Sequence, residues 1–150
     1  MVSLLDPWHT VIKFIQDLEK VFRKMIFNTG NEHTYCVMNL IYNTYISITV
    51  DMVDYLEEVI KEFGKNYYKK VKSPTAVYLF ETDENQTKSD ENTKALFHGI
   101  VAKLLFVGKQ GCPDTQVTVA FLTTRGIKLD QDDWKKLQRI MCYIKSTLNI

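Results

Sequence analysis

The sequence predicts an α+β fold in which a helix and an antiparallel β-hairpin precede an all-helical bundle. From Lys94 to Ile150, apolar residues recur at three- and four-residue intervals in three stretches, broken at Gly111–Asp114 and between Arg125 and Asp130. That period places them along one side of a helix. From His33 to Val50 the period falls to two, with β-branched and aromatic residues in alternation, as strands require. Two further amphipathic stripes, one starting at Trp8 and one at Met52, flank the alternating stretch.

The first helix opens at Asp6-Pro7, where Asp6 can accept from unpaired N–H groups and Pro7 has its φ preset. Val11, Ile12, Ile15, Leu18 and Phe22 trace its apolar face, and it ends near Arg23 or Lys24. Asn28–Glu32 contains Gly30 and polar residues, so it is a turn. Within 33–50, two runs joined by Asn43-Thr44 read as one hairpin whose Ile46, Ile48 and Val50 face is buried. Asp51 caps the second helix, whose stripe is Met52, Tyr55, Leu56, Val59, Ile60 and Phe63 and whose stop is Gly64.

Residues 65–93 carry interleaved lysines and tyrosines, then Ser73-Pro74, then an acidic run from Glu81 to Glu91. They read as a linker between an α+β segment (1–64) and a helical segment (94–150), or as a surface loop of one domain. In the helical segment the first face is Leu96, Phe97, Ile100, Val101, Leu104 and Leu105. The second is Val117, Ala120 and Phe121, after Pro113 at a first helical position. The third is Trp134, Leu137, Ile140, Met141 and Ile144.

At 150 residues the chain has one domain's worth of sequence, able to bury roughly two-thirds of its unfolded surface. Apolar residues make up 45% and charged residues 25%, with a formal net charge of +1, so composition neither demands nor excludes a nucleic-acid partner. No apolar run is long enough to span a bilayer, and the N-terminus lacks the order of a signal peptide. The expectation is an intracellular protein, in cytoplasm or nucleus, with no membrane association. Cys36, Cys112 and Cys142 are odd in number and widely spaced, which suits free thiols.

Neither metal-ligand spacing nor a catalytic motif is present. His9, His33 and His98 are far apart, and His98 reads as an ordinary helix histidine. There is no Gly-rich phosphate loop and no G-x-S-x-G elbow. The carboxylates Asp51/Asp54, Glu57/Glu58 and Asp130/Asp132/Asp133 sit at helix starts or on polar faces, where they complement the macrodipole. Cys112, beside Pro113 at a helix N-terminus, is expected to have a lowered thiol pKa, but no base accompanies it. No catalytic residue, metal or cofactor is therefore assigned. Two basic features remain: the Lys/Tyr run 65–72, which reads as a solvated linker before it reads as a base-stacking surface, and Lys103, Lys109, Arg125, Lys128, Lys135, Lys136 and Arg139 on the polar sides of the C-terminal helices.

Several short motifs, in order, resemble a copia-type retrotransposon reverse transcriptase from just after the catalytic strands of the palm to the end of the thumb. Phe97-His98-Gly99-Ile100-Val101-Ala102-Lys103-Leu104-Leu105-Phe106 is similar to the family's aromatic-x-x-(I/L)-V-(A/G)-x-L-L-aromatic helix. Pro113-Asp114 with Val119-Ala120-Phe121-Leu122 resembles its R-P-D helix. Asp133-Trp134 through Arg139-Ile140, Tyr143-Ile144-Lys145 and Thr147 resembles its R-I-L-x-Y-L-K-x-T ending. His33-Thr34-Tyr35-Cys36-Val37-Met38 falls where the family has a Y-L-G-M or F-L-G-I strand, followed by a second strand and the helix of Met52-Val53-Asp54-Tyr55-Leu56.

The resemblance implies the rear of a palm followed by a thumb-like bundle, with the 33–50 hairpin beside a primer strand and the C-terminal helices facing a duplex backbone. On that basis His33, Tyr35, Met38, Lys103, Lys109, Arg125 and Lys128 are the expected nucleic-acid contacts, and an RNA–DNA or DNA primer–template duplex is the expected partner. The departures are specific. The family's Y-x-D-D turn would precede Ser3, and its third aspartate lies further upstream, so the chain lacks the carboxylates of a two-metal site and is expected not to polymerise alone. Mg is expected only in an intact relative. The motif's glycine is Val37, which argues against a close backbone approach there, and the arginine before Pro-Asp is Cys112. The expectation is a truncated or degenerate reverse-transcriptase fragment from a transposable-element polyprotein. The alternatives are a small helical module that binds a protein through the apolar face next to the missing palm, and a non-functional relic.

Overall fold

The computed structural model describes residues 7–64, 69–82 and 90–148. The expected Asp6 cap, Lys65, Tyr67, Tyr68 and most of the acidic run lie outside the described residues. The elements in order are α1 (Pro7–Val21), β1 (Glu32–Tyr35), β2 (Met38–Tyr42), β3 (Ile48–Asp51), α2 (Val53–Phe63), α3 (Glu91–Gln110), one 3-10 turn (Pro113–Thr115), α4 (Gln116–Thr124) and α5 (Gln131–Thr147). The class is α+β, with a three-stranded antiparallel sheet in the order β1-β2-β3.

The sheet differs from the single hairpin expected over 33–50. The first alternating run breaks at Cys36-Val37, whose φ values are 47° and 61°, and folds back on itself so that Tyr35 pairs with Met38 and His33 with Leu40. A two-residue type I′ hairpin turn needs two positive φ values, and a non-glycine residue there is disfavoured by about 1–2 kcal/mol. Strand β3 then pairs along β2, Val50 opposite Leu40 and Ile48 opposite Tyr42. His33, Met38, Leu40, Tyr42, Ile48 and Val50 therefore share one face. The expectation that Ile46, Ile48 and Val50 are buried is wrong: Ile46 lies in the turn with φ 58° and is fully exposed, and Ile48 and Val50 are exposed as well. Only the Met38 and Leu40 end of that face reaches the core.

Helices α2, α3, α4 and α5 bury their stripes together. Leu56, Val59 and Phe63 meet Phe97, Ile100, Val101 and Leu104, along with Val119, Leu122, Leu137, Ile140 and Ile144. Trp134 stacks on Phe63 at 5.5 Å between ring centroids and leans on Phe97 at 6.2 Å. A division at residue 64 thus cuts through one shared core. The caps explain where the helices start and stop. Asp51 accepts from the Val53 N–H, and Gly64 ends α2 with φ 67°. Asp90 accepts from Thr93, so α3 begins inside the stretch assigned to the linker. In α4 the buried side is Thr118, Val119 and Leu122, while Val117 and Ala120 are exposed. The expected face is thus rotated, because the adjoining threonines are buried instead: Thr115 bonds Cys112 O (2.7 Å) and Thr118 bonds Thr75 (2.8 Å).

The described part of the expected linker, 69–82, is a strap laid over α4 and α5. Its own Ala76 and Leu79 are buried. Arg139 Nε donates to the carbonyls of Ser73 (3.1 Å) and Thr75 (3.2 Å), and Lys136 Nζ donates to that of Glu81 (2.6 Å). By contrast, α1 packs extensively against no other described element. Its Val11, Phe14 and neighbouring Phe22 are largely exposed.

A Cβ at Gly126 would lie 2.1 Å from His98 Cε1, and the His98 ring holds Gly126 O at 3.1 Å. Gly126→Ala should swing the ring away and cost about 1 kcal/mol, the worth of that hydrogen bond. His98→Ala should cost a similar amount, and the double variant no more than either single one. Urea midpoints for the three proteins check this.

Candidate nucleic-acid interface

The structure separates the seven expected contact residues into three groups. Tyr35 is exposed on β1, and His33 is half-buried beside it, its ring 5.6 Å from that of Tyr42 and its Nε2 3.0 Å from Gly30 O. Met38 is removed from the set. It is 8% exposed and belongs to the core, because the turn at 36–37 points it at the bundle.

The cations divide in the same way. Lys109, in the last turn of α3, and Lys128, in the α4–α5 connection, are exposed; no carboxylate pairs with them among the described residues. Lys103 pairs with Glu62 of α2, and that bond raises its pKa. Arg125 is bound from two sides: its Nε donates to Asp133 Oδ2 at 2.9 Å, and its Nη2 reaches Asp130 Oδ2 and Lys128 O at 3.3 Å. Burial opposes the charged form of Arg125, yet the bonds to Asp133 and Asp130 outweigh it and leave its pKa raised.

Three other cations expected on the polar faces have structural work. Lys136 is fully buried, bound to Glu81 O and Asp133 Oδ1 and lying 5.0 Å over the Phe121 ring. Arg139 holds the strap, and Lys135 pairs with Asp132. The carboxylates behave as read: Asp130 and Asp133 form a reciprocal capping box at the start of α5. Sequence reasoning missed that Asp133 also accepts from Arg125 and Lys136. The spacing of Asp133 and Lys136, one turn apart, is the signal that could have found half of this.

Cys112 corrects a further expectation. It borders a cavity of about 360 Å³ between the β3–α2 junction and the end of α5, lined by Met52, Leu56, Asp114, Tyr143 and Ile144 among others. Burial, and then the Asp114 charge, push its thiol pKa up rather than down. A desolvated thiol next to a carboxylate is a poor nucleophile. Tyr143 bonds Asp114, which raises the phenol pKa. Among the described residues no three His, Cys, Asp or Glu side chains converge as metal ligands would, and no described helix is long and apolar enough to cross a membrane.

No protein-family model, curated protein or solved structure matches the chain.

Arg125 is therefore expected to act on stability. Arg125→Ala should cost about 2–3 kcal/mol, less than the ~3–5 of a broken isolated pair because Lys136 remains on Asp133. That corresponds to a fall in Tm of roughly 5–10 °C, read by calorimetry.

Proposed function

We propose that this chain is the post-catalytic part of a copia-type reverse transcriptase, rear palm and thumb, and that it holds a template–primer duplex without polymerising it. The single observation that carries the reading is the backbone at Val37. In the Y-L-G-M motif that Tyr35-Cys36-Val37-Met38 resembles, the third position is glycine, and here that position, Val37, has φ 61°, a conformation glycine adopts without strain. The motif's glycine thus has a conformational reason at the hairpin tip. The placement of the other motifs supports the same reading: 97–106 lies in α3, Pro113-Asp114 opens the turn into α4, and 133–147 lies in α5, with their apolar positions packed together.

The exposed apolar side chains also support it. Most of the large ones among the described residues lie between Trp8 and Val50, on α1, the following turn and the outer sheet. By the resemblance these are the parts next to the palm's catalytic strands. The same exposure favours a second reading, a module whose N-terminal segment docks on a protein. A stable oligomer indifferent to nucleic acid would select that second reading.

Phosphate contact by lysine releases counterions, so duplex binding should weaken linearly in log–log salt plots. With Arg125 and Lys103 held by carboxylates, Lys109 and Lys128 are the thumb-side cations available. Lys109→Ala with Lys128→Ala should weaken binding to a labelled RNA–DNA primer–template uniformly across sequences and reduce the salt slope by about 2. A folded wild-type protein that binds no duplex at low salt would overturn the reading.

A further inference from the structure

We infer that the cavity between the β3–α2 junction and the end of α5 binds a small primary ammonium ion with an apolar body, of the arylalkylamine class. It does not depend on the template–primer reading. The cavity holds about 360 Å³, at the small end of the roughly 300–1,000 Å³ of ligand pockets, which suits one ring or a short chain. Part of its wall is apolar: Met52, Leu56 and Ile144 line it and are buried, and Leu148 lines it half-buried. Among the described residues its charged side chains are two carboxylates, Asp51 and Asp114, with no Lys, Arg or His on the lining. Neither carboxylate has a cation partner in the ion pairs of the described residues.

Two helices end on this cavity. Gly111 is the C-cap of α3 and Leu148 that of α5, and both line it. The carbonyl end of a helix is equivalent to about −0.5 charge, so both ends add to the potential of the carboxylates. The positive end of α2 also borders the cavity, but Asp51 accepts from its Val53 N–H at 2.8 Å and offsets it. Cys112 and Tyr143 add no charge: burial and then Asp114 raise the thiol pKa, and the bond to Asp114 and then burial raise that of the phenol. A concavity lined by one sign of charge concentrates the opposite ion. A metal ion is a poor match, because no three ligating side chains converge among the described residues and the apolar wall offers a hydrated ion no partner. An organic cation uses both kinds of wall. Tyr143 Oη donates to Asp114 Oδ2, which leaves the other carboxylate oxygen to accept from an N–H. A quaternary ammonium has no such hydrogen, so the class is a primary amine.

The test is a titration with phenethylamine, and with phenethyl alcohol as its neutral counterpart, followed by amide chemical shifts at neutral pH. Wild type, Asp114→Asn and Asp51→Asn are compared. Asparagine keeps the size of each side chain, still accepts the Tyr143 and Val53 bonds, and is itself a good cap, so both variants should fold, which thermal melts check. The amine should shift the amides of Leu56, Gly111 and Leu148 and bind wild type about tenfold more tightly than the alcohol. Asp114→Asn should weaken the amine about fivefold, as loss of a solvent-accessible charge pair does, and leave the alcohol unchanged. Equal affinity for amine and alcohol overturns the cation assignment, as does an amine affinity unchanged in both variants. Shifts scattered over other acidic surfaces, or none at millimolar amine, overturn the site.

Discussion

Asp133 is the constraint on which the C-terminal part depends. Its carboxylate has no solvent exposure, and a buried carboxylate is tolerable only when its lone pairs are filled by charged or backbone donors. Three groups do so: the Asp130 N–H, Arg125 Nε and Lys136 Nζ. Each bond fixes something larger. The first starts α5, the second sets the α4–α5 connection, and the third carries Lys136 to the Glu81 carbonyl and so holds the strap. Satisfying one carboxylate thus fixes the start of a helix, a turn and a crossing segment. It also removes Arg125 and Lys136 from the surface.

That arrangement bears on the proposed duplex-holding role. A thumb that grips a duplex needs cations free to meet phosphate, and the bundle uses several of its own for internal bonds. Of the cations expected to meet a duplex, Lys109 and Lys128 have no carboxylate partner among the described residues. The apolar side divides as sharply. Residues from Met52 onward bury nearly complete stripes around Phe97, Leu122 and Leu137, whereas α1 and the outer sheet leave Val11, Phe14, Ile48 and Val50 in solvent. One part buries its own apolar stripes, and the other leaves many of its large apolar side chains exposed.

The parts legible in the sequence were those set by large apolar residues at helical spacing. The stripes of α2, α3 and α5 are of this kind, as are the Gly64 stop and the acidic start of α5. The α4 face was not legible because its buried positions include Thr115 and Thr118, whose burial depends on bonds to Cys112 O and to the strap. The turn at Cys36-Val37 lacks the glycine or asparagine that marks such turns, so two strands looked like one. Arg125 looked like a surface cation because Asp133 lies eight residues on, across a turn that local periodicity does not describe. Lys69 and Lys70 lie along one groove with Lys145, and only the strap's path brings them together.

Native-state hydrogen exchange tests the division between the self-contained bundle and the uncovered N-terminal helix most directly. In a monomeric sample the amides of α3 and α5 should share the slowest exchange, with α2 close behind, while the amides of α1 exchange orders of magnitude faster. Protection of α1 equal to that of α3 in the monomer would contradict it, because α1 would then have a partner within the chain that its packing does not provide.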